Sequence, residues 1–380
     1  MNIDQKHPII NLLMEYTKSS KYAGKVYVFG GFLRDLFLGR KPGDIDMLFI
    51  GTPEEAGDFS IGLTKQTGDF CQGINPIITN NAIRLCIYKN TSSEMKMDLT
   101  PYLPKEGEIC DETIVRATFC HRDFAINGIY LDLTTGIIAD PANISYKSLE
   151  NKILTTVSDD YDGIFKGFPI RLYRMFRFQS ELGFEIPNKQ LEYARNNAWL
   201  ANFIERERIK IEINRIQSGK FSNIAIKNMK WCNLDPTDCS RSDVFIGDGW
   251  YECEPGEEPY RVKEGPYFRW TSGNSILHFN SGVTAIEIGF YNQIKDNIIK
   301  CIYNDNEYFK TNLNFHYNSL KIPVKGKHIE LNVNTFIPSH CTKTNDNRSL
   351  GIYVREIIIY RKDISTKYDI SKVPYLLRYE

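Results

Sequence analysis

Apolar side chains recur at helical intervals in residues 8–19, PIINLLMEYTKS, and predict a first amphipathic helix. Residues 25–29, KVYVF, read as a buried strand that ends at Gly30-Gly31. Residues 32–38, FLRDLFL, return to helical spacing. Gly39 stops that helix and GRKPGD is a turn. Further strands are expected at 45–50 (IDMLFI), 83–88 (IRLCIY) and 94–99 (EMKMDL). After a loop rich in charge and Gly, residues 121–127, HRDFAIN, open a helix or turn. Residues 129–133 and 136–139 then flank Thr134-Thr135 as a hairpin.

From about 160 to 220 the pattern is helical, through FPIRLYRMFRFQSEL, KQLEYARNNAWLANF and ERERIKIEINRI. Beyond 230 it changes to short runs broken by Gly, Asn and Pro: VFIG, YFRWT, SILHF, TAIEIGFY, IIKCIY, NLNFHY, HIELNV and GIYVREIIIY. Strands of that length and spacing predict an antiparallel β-sandwich. The fold class expected is α+β, with a head over 1–150, a helical neck over 151–230 and the β-sandwich over 240–380.

With 380 residues there is room for these parts, and 42% apolar with 25% charged residues is ordinary for a globular protein. The formal net charge of zero lowers the expectation of a dedicated nucleic-acid binder, which draws most of its affinity from phosphate contacts. Nine cysteines without Cys-x-x-Cys spacing read as thiols of a reducing cytoplasm rather than as zinc ligands or disulfides. The N-terminal segment lacks the pattern of a signal peptide, and no stretch is long and apolar enough to span a membrane. A cytoplasmic protein without membrane insertion is therefore expected, of unknown oligomeric state.

The candidate chemistry sits in Gly30-Gly31-Phe-Leu-Arg34-Asp35, followed by Gly39 and Asp44-Ile-Asp46. Alternate strand residues share a face, so Asp44 and Asp46 present two carboxylates side by side. Such a pair is costly unless a divalent cation lies between them. Mg²⁺ favours hard oxygen ligands and keeps positions for phosphate oxygens. Gly30 and Gly31, between a strand and a helix, let backbone N–H groups approach a phosphate, and Arg34 can reach the same group. A lone Asp-x-Asp is more often solvated surface; the whole run after a buried strand is what points to nucleotidyl transfer.

This segment resembles the signature of the class II tRNA nucleotidyltransferase and bacterial poly(A) polymerase family, a branch of the polymerase-β superfamily. The resemblance spans roughly residues 10–220. It implies a nucleotidyltransferase head on a mixed sheet, then a helical neck. Lys96-Met-Asp98-Leu-Thr is similar to the strand that carries a third carboxylate, which makes Asp98 a catalytic candidate beside Asp44 and Asp46. Arg122-Asp123-Phe-Ala-Ile-Asn127 resembles the motif whose Asp and Asn meet ribose and whose Arg meets triphosphate. Asp140-Pro141 resembles the following turn. Phe168-Pro-Ile-Arg171-Leu-Tyr-Arg174-Met-Phe-Arg177-Phe178 resembles the nucleotide-reading helix, and Glu207-Arg208-Ile-Lys-Ile-Glu212 a neck motif. The nucleotide site implied is Gly30, Gly31, Arg34, Arg122, Asp123, Asn127, Arg171 and Arg174, with Asp44 and Asp46 as metal ligands. The residues alone leave blander roles open. Asp123 can cap a helix, Asp140 can be a turn residue, Arg177 can pair with a carboxylate, and Glu207 and Glu212 can tie helices together.

The departures bear on the acceptor. Gly167 and Phe168 stand where the family carries Glu-Asp, while Arg171 remains, so half of the protein template for the base is absent. Phe168 can stack on a base instead. His121 replaces an arginine. Short segments at Gly249-Trp250-Tyr251-Glu252, Phe268-Arg269-Trp270-Thr271 and Leu350-Gly351-Ile352-Tyr353-Val354 resemble a β-sandwich module appended to bacterial surface-polysaccharide enzymes. Trp250 and Trp270 can equally be core, with Tyr251 and Arg269 as sugar-binding candidates. The expectation is transfer of NMP from an NTP, CTP by family habit, to a small phosphorylated or sugar-type acceptor of glycan biosynthesis. An RNA 3′ end, as in CCA addition or tailing, is the alternative.

Overall fold

The computed structural model describes residues 8–67, 77–79, 82–88, 94–103, 122–238, 242–254, 268–341, 346–362 and 364–374. It is an α+β protein, and by packing the chain divides into two units. The first runs to Asp159 and takes in Phe184–Pro187; the second holds Asp160–Gly183 and continues from Asn188.

In the first unit, helix α1 (Pro8–Ser19) and strand β1 (Val26–Phe29) are followed by α2 (Gly31–Phe37), β2 (Ile45–Ile50) and α3 (Pro53–Thr67). Strands β3 (Ile77–Thr79), β4 (Ala82–Tyr88), β5 (Glu94–Tyr102), β6 (Tyr130–Asp132) and β7 (Ile138–Ala139) complete a seven-stranded sheet in the order β3-β4-β5-β2-β1-β6-β7. The β2–β5 pair is parallel and its neighbours are antiparallel. Period-two alternation sends Ile45, Met47 and Phe49 to one face, where Phe49 meets the rings of Tyr22 and Phe59, at 5.3 and 5.9 Å. The opposite face carries an apolar cluster of Tyr27, Phe29, Leu48 and Ile50. Asp46 belongs to this second face, because it lies directly across from Phe29.

The sequence reading left out α3 although its start is written in the chain. Thr52 Oγ1 accepts from the Glu55 amide (3.2 Å) and Glu55 Oε2 accepts from the Thr52 amide (3.0 Å), a capping box with Pro53 in the first helical position. It also left out the short helix Ser145–Glu150. Of the segment 121–127, residues 122–127 are described and take the turn alternative, with a short 3₁₀ turn over Ala125–Asn127.

The second unit begins with a π-helical turn, Asp162–Lys166, and the helix Arg171–Leu182, which ends at left-handed Gly183. That helix packs on Arg206–Ser218 and Ser222–Trp231. Ser180 Oγ donates to the Ile216 carbonyl (2.5 Å) and Asn228 Nδ2 to Gln179 Oε1 (3.0 Å). Where one helical run was expected over KQLEYARNNAWLANF, helix Asn188–Asn196 gives way to a 3₁₀ segment, Ala198–Phe203.

Two antiparallel sheets follow. One is ordered β15-β12-β17-β10-β9 with β18 beside β17, the other β14-β13-β16-β11-β8. Their strands are β8 (Val244–Ile246), β9 (Trp250–Glu254), β10 (Phe268–Thr271), β11 (Asn274–Phe279), β12 (Ala285–Asn292), β13 (Ile298–Tyr303), β14 (Asn306–Asn312), β15 (His316–Pro323), β16 (His328–Val333), β17 (Tyr353–Arg361) and β18 (Ile364–Asp369). Alternation is clear in β11 and β16, where every second residue is buried. NLNFHY is not a strand but spans the turn between β14 and β15. There the Asn318 side chain accepts from the Asn314 amide (2.9 Å) and donates to its carbonyl (2.9 Å).

Candidate active site

Strand β1 ends at Gly30, whose φ of +79° is open to glycine and strained for other residues. A Cβ there would lie 3.6 Å from Asp46 Oδ2, so the Asp46 carboxylate hangs over the Gly30 turn. Parallel pairing of β2 with β5 sets Asp98 directly beside Asp46. Phe29, Asp46 and Asp98 thus form a row across three adjacent strands, on the face away from Ile45, Met47, Met97 and Leu99, all fully buried. Asp44, two residues before Asp46, is exposed; Asp46 and Asp98 are half-buried.

Among the described residues no group of three or more His, Cys, Asp or Glu side chains is gathered as a metal site. The carboxylates of Asp44 and Asp46 nevertheless fit a partly hydrated Mg²⁺. Every donor is a hard oxygen, and Gly30 leaves Asp46 Oδ2 unshielded on its side.

The guanidinium of Arg122 stacks 4.1 Å over the Phe29 ring, next to the strand position paired with Asp46. Asp123 is buried, and its Oδ1 accepts from the Phe124 amide (2.9 Å) and from Asn127 Nδ2 (3.2 Å). His121 lies outside the described residues. For Arg34 the structure differs from an arginine reaching freely toward phosphate. It is buried, its Nε and Nη2 donate to both oxygens of Asp35 (3.0 and 2.9 Å), and its Nη1 donates to Asn127 Oδ1 (2.9 Å). Its terminal Nη2 lies close against Gly31, 3.3 Å from where a Cβ would sit. Asp35, which the sequence reading assigned no role, anchors this group.

In the second unit, Arg171 is buried at the start of its helix. It donates Nη1 to the Ile164 carbonyl (3.1 Å) and lies 4.4 Å over the ring of Phe168, which is 40% exposed. Arg174 lies one turn further on, 5.9 Å from the Phe178 ring. Gly167 is sterically obliged: a Cβ would fall 2.4 Å from the Gly163 carbonyl oxygen. Position 167 cannot carry the glutamate found in the resembled motif unless the π-helical turn opens.

Several residues take the structural roles that sequence left open. Arg177 is buried against Glu212 (3.2 Å) and near Glu181 (3.9 Å); burial lowers its proton affinity and Glu212 raises it. Glu207 pairs with Lys210 at the surface (2.8 Å). Asp140 Oδ2 caps the Tyr146 amide (2.9 Å). Trp250 and Trp270 are both buried, and Trp250 Nε1 donates to the Ile276 carbonyl (3.0 Å). Arg269 is wholly buried and donates to the carbonyls of Tyr251 and Asn202 (3.3 Å each), which removes it as a sugar-binding side chain. Tyr251 uses its hydroxyl on the Ser349 carbonyl (3.2 Å). Cys232, Cys253 and Cys301 are buried free thiols.

A mixed sheet with a glycine turn, neighbouring strand carboxylates and an arginine–aspartate motif on one face defines a head of the nucleotidyltransferase type. Residues 26–155 match the family described as the Poly A polymerase head domain. The chain is 27% identical over 268 residues to a CCA-adding enzyme of Bacillus pumilus, covering 69% of this chain and 58% of that protein. It is 28% identical over 218 residues to a CC-adding tRNA nucleotidyltransferase of Halalkalibacterium halodurans, covering 56% and 48%. A Thermotoga maritima CCA-adding enzyme, solved in complex with tRNA, shares the fold with a TM-score of 0.51 at 22% identity, over 61% of this chain and 53% of that one. The chain therefore spans about half the length of the relatives it matches.

Proposed function

We propose that this protein is a Mg²⁺-dependent nucleotidyltransferase that adds NMP from an NTP to an RNA 3′ end, with release of pyrophosphate. The observation that carries the reading is the placement of Asp98 in register beside Asp46, at the end of the sheet where Asp44 and the Gly30 turn converge. Asp44 and Asp46 would hold the cation, which when bound offsets the charge of the triphosphate and lowers the proton affinity of the attacking hydroxyl.

The chain's own groups supply the rest. Arg122, fixed over Phe29, keeps a positive charge beside the carboxylates for the triphosphate. Asp123 and Asn127 present a rigid polar pair to the nucleotide. Asp98 takes the proton of the acceptor hydroxyl as its oxygen bonds to the α-phosphorus and the bond to pyrophosphate breaks. The segment Phe168–Phe178 resembles a nucleotide-reading helix, and within it the exposed ring of Phe168 lies 4.4 Å from the Arg171 guanidinium.

The weight that sequence placed on a glycan acceptor moves to RNA, because the relatives matched are named a CCA-adding enzyme and a CC-adding tRNA nucleotidyltransferase. No relative reported above is named for a sugar acceptor. CTP as donor rests on the resemblance alone.

The deciding measurement is pyrophosphate release with each of the four NTPs and Mg²⁺. The acceptor is a tRNA lacking its 3′ end in one series and a panel of phosphorylated sugars and alcohols in another, with the Asp44→Ala/Asp46→Ala double variant as blank. Turnover confined to the tRNA series is expected. Turnover confined to the small acceptors would overturn the RNA reading and leave nucleotidyl transfer standing.

A further inference from the structure

One face of the sheet formed by β15, β12, β17 and β10 carries a row of rings. Tyr317, Tyr291, Tyr353 and Trp270 stand in register on these four adjacent strands. Successive ring centroids lie 5.2, 4.9 and 4.9 Å apart. Alternation sends Ile286, Ile288, Phe290 and Val354 to the opposite face, where all are fully buried. The row is closed at Trp270, which is 7% exposed with the Phe336 ring 5.8 Å away, and open at Tyr317, which is 47% exposed.

Tyr317 does not stand upright on its strand. It pairs with Tyr291, yet its hydroxyl lies 2.9 Å from where a Cβ of Gly289 would sit, two residues further along β12. The ring thus leans along the sheet over a position kept free of a side chain, and Glu356 comes to the same place, with Cγ at 2.8 Å from that point. Cross-strand stacking alone accounts for Tyr291 and Tyr353, which shield each other. It does not account for a half-exposed ring laid flat at the open end.

The charges around the row are unequal in their commitments. Glu287 accepts from the Tyr360 hydroxyl (2.6 Å) and from Ser319 Oγ (2.5 Å), and Glu356 pairs with Lys367 (2.6 Å). Arg355 makes no hydrogen bond or ion pair among the described residues. It lies by the row: burial raises the proton affinity of the Tyr353 hydroxyl and the Arg355 charge opposes that rise. An open ring beside an uncommitted guanidinium, with both glutamates engaged, complements a ligand that is flat and anionic at its rim. An unpaired nucleotide has that chemistry, its base stacking and its phosphate meeting the cation, whereas a neutral sugar would leave the arginine unmatched.

We propose that this sheet face is a platform for single-stranded RNA, on which Tyr317 stacks an unpaired base and Arg355 contacts a phosphate. The proposal rests on the reading of an RNA acceptor and adds an RNA contact on strands outside residues 26–155, the part matched as a head domain.

The test is fluorescence anisotropy of the full chain, without NTP, against a labelled oligoadenylate of about ten nucleotides and an RNA duplex of the same length. Maltohexaose is titrated in parallel by calorimetry. The proteins are wild type, Tyr317→Ala, Tyr317→Phe and Arg355→Gln, each checked for an unchanged unfolding transition. The wild type should prefer the single strand. Tyr317→Ala should weaken it by about tenfold, and Tyr317→Phe, which keeps the ring, should retain the affinity. Arg355→Gln should lower the slope of log affinity against log salt by roughly one. Affinity indifferent to Tyr317→Ala and Arg355→Gln overturns the platform, as does equal loss for single strand and duplex, or a Tyr317-dependent affinity for maltohexaose with RNA binding untouched. Pyrophosphate release on tRNA lacking its 3′ end, measured with the same proteins, separates the two readings. Turnover on tRNA with indifferent oligoadenylate binding overturns the platform alone. Turnover confined to small acceptors overturns the RNA reading on which it rests.

Discussion

Asp98 stands directly across the parallel β2–β5 ladder from Asp46, two carboxylates on neighbouring strands of one sheet face. Adjacent strands lie about 4.8 Å apart, so the two carboxylates face the same space, where a cation would offset their charge. Asp98→Asn keeps the shape and removes the proposed base. Its turnover should fall by about a hundredfold or more while NTP affinity changes little, read from single-turnover rates beside equilibrium binding. A variant with wild-type turnover would remove Asp98 from the chemistry.

Phe168 and Gly167 make separable predictions. Phe168→Asp places a carboxylate next to the Arg171 guanidinium, which now rests on the phenyl ring 4.4 Å away. An added acceptor beside that fork should sharpen the choice among bases by roughly tenfold, at some loss of nucleotide affinity from the missing ring. Comparing kcat/KM for the four NTPs reads the change. Gly167→Ala should instead act on folding, because the methyl group meets the Gly163 carbonyl oxygen at 2.4 Å. A cost of about 1–3 kcal/mol is expected from overpacking, measurable by denaturant unfolding.

Arg177 and Glu212 are an ion pair with side chains each 11% exposed. Arg177→Met would leave Glu212 buried without its main countercharge and should cost about 3–5 kcal/mol. The double variant Arg177→Met/Glu212→Gln should recover part of that loss. A double-mutant cycle on unfolding free energy checks it, and additive losses would disprove the coupling.

Burial pushes the thiol of Cys232 up to about 12, that of Cys301 up to about 12 and that of Cys253 up to about 11. A raised thiol pKa depletes the reactive thiolate. At pH 8 the two higher groups hold about one thiolate in ten thousand. In the native protein these three cysteines should resist iodoacetamide, and they should label once the chain is unfolded. Peptide mapping by mass spectrometry resolves each site.

The head was legible because its signals are local. A buried strand, a glycine pair, a helix and an Asp-x-Asp lie between residues 25 and 46, and β2 appears at Ile45–Ile50, where a strand is expected. Helix α3 was also written locally, in the Thr52–Glu55 box, but polar residues within it mask the apolar stripe. The register that sets Asp98 beside Asp46 was not legible, since it depends on strands separated by a long crossover. Nor was the capture of Arg34: the Arg34-Asp35 dipeptide gives no sign that Asn127, 93 positions later, completes its partners. In the β-rich part, strands with a buried face were readable and polar strands were not. Strand β18 is almost wholly exposed and carries no alternation to read.

The four residues Phe184–Pro187 belong to the first unit although the chain on both sides belongs to the second. They dock through a main-chain exchange, in which the Leu154 amide meets the Glu185 carbonyl (2.7 Å) and the Glu185 amide meets the Lys152 carbonyl (2.9 Å). The head is thus not a contiguous cassette. A gene fragment ending at Asp159 would leave those backbone groups without their partners, whereas one extended through Pro187 must carry helix Arg171–Leu182 with it. No single cut between Asp159 and Asn188 therefore separates the glycine turn and carboxylates of one unit from the arginine-bearing helix of the other without dividing one of them.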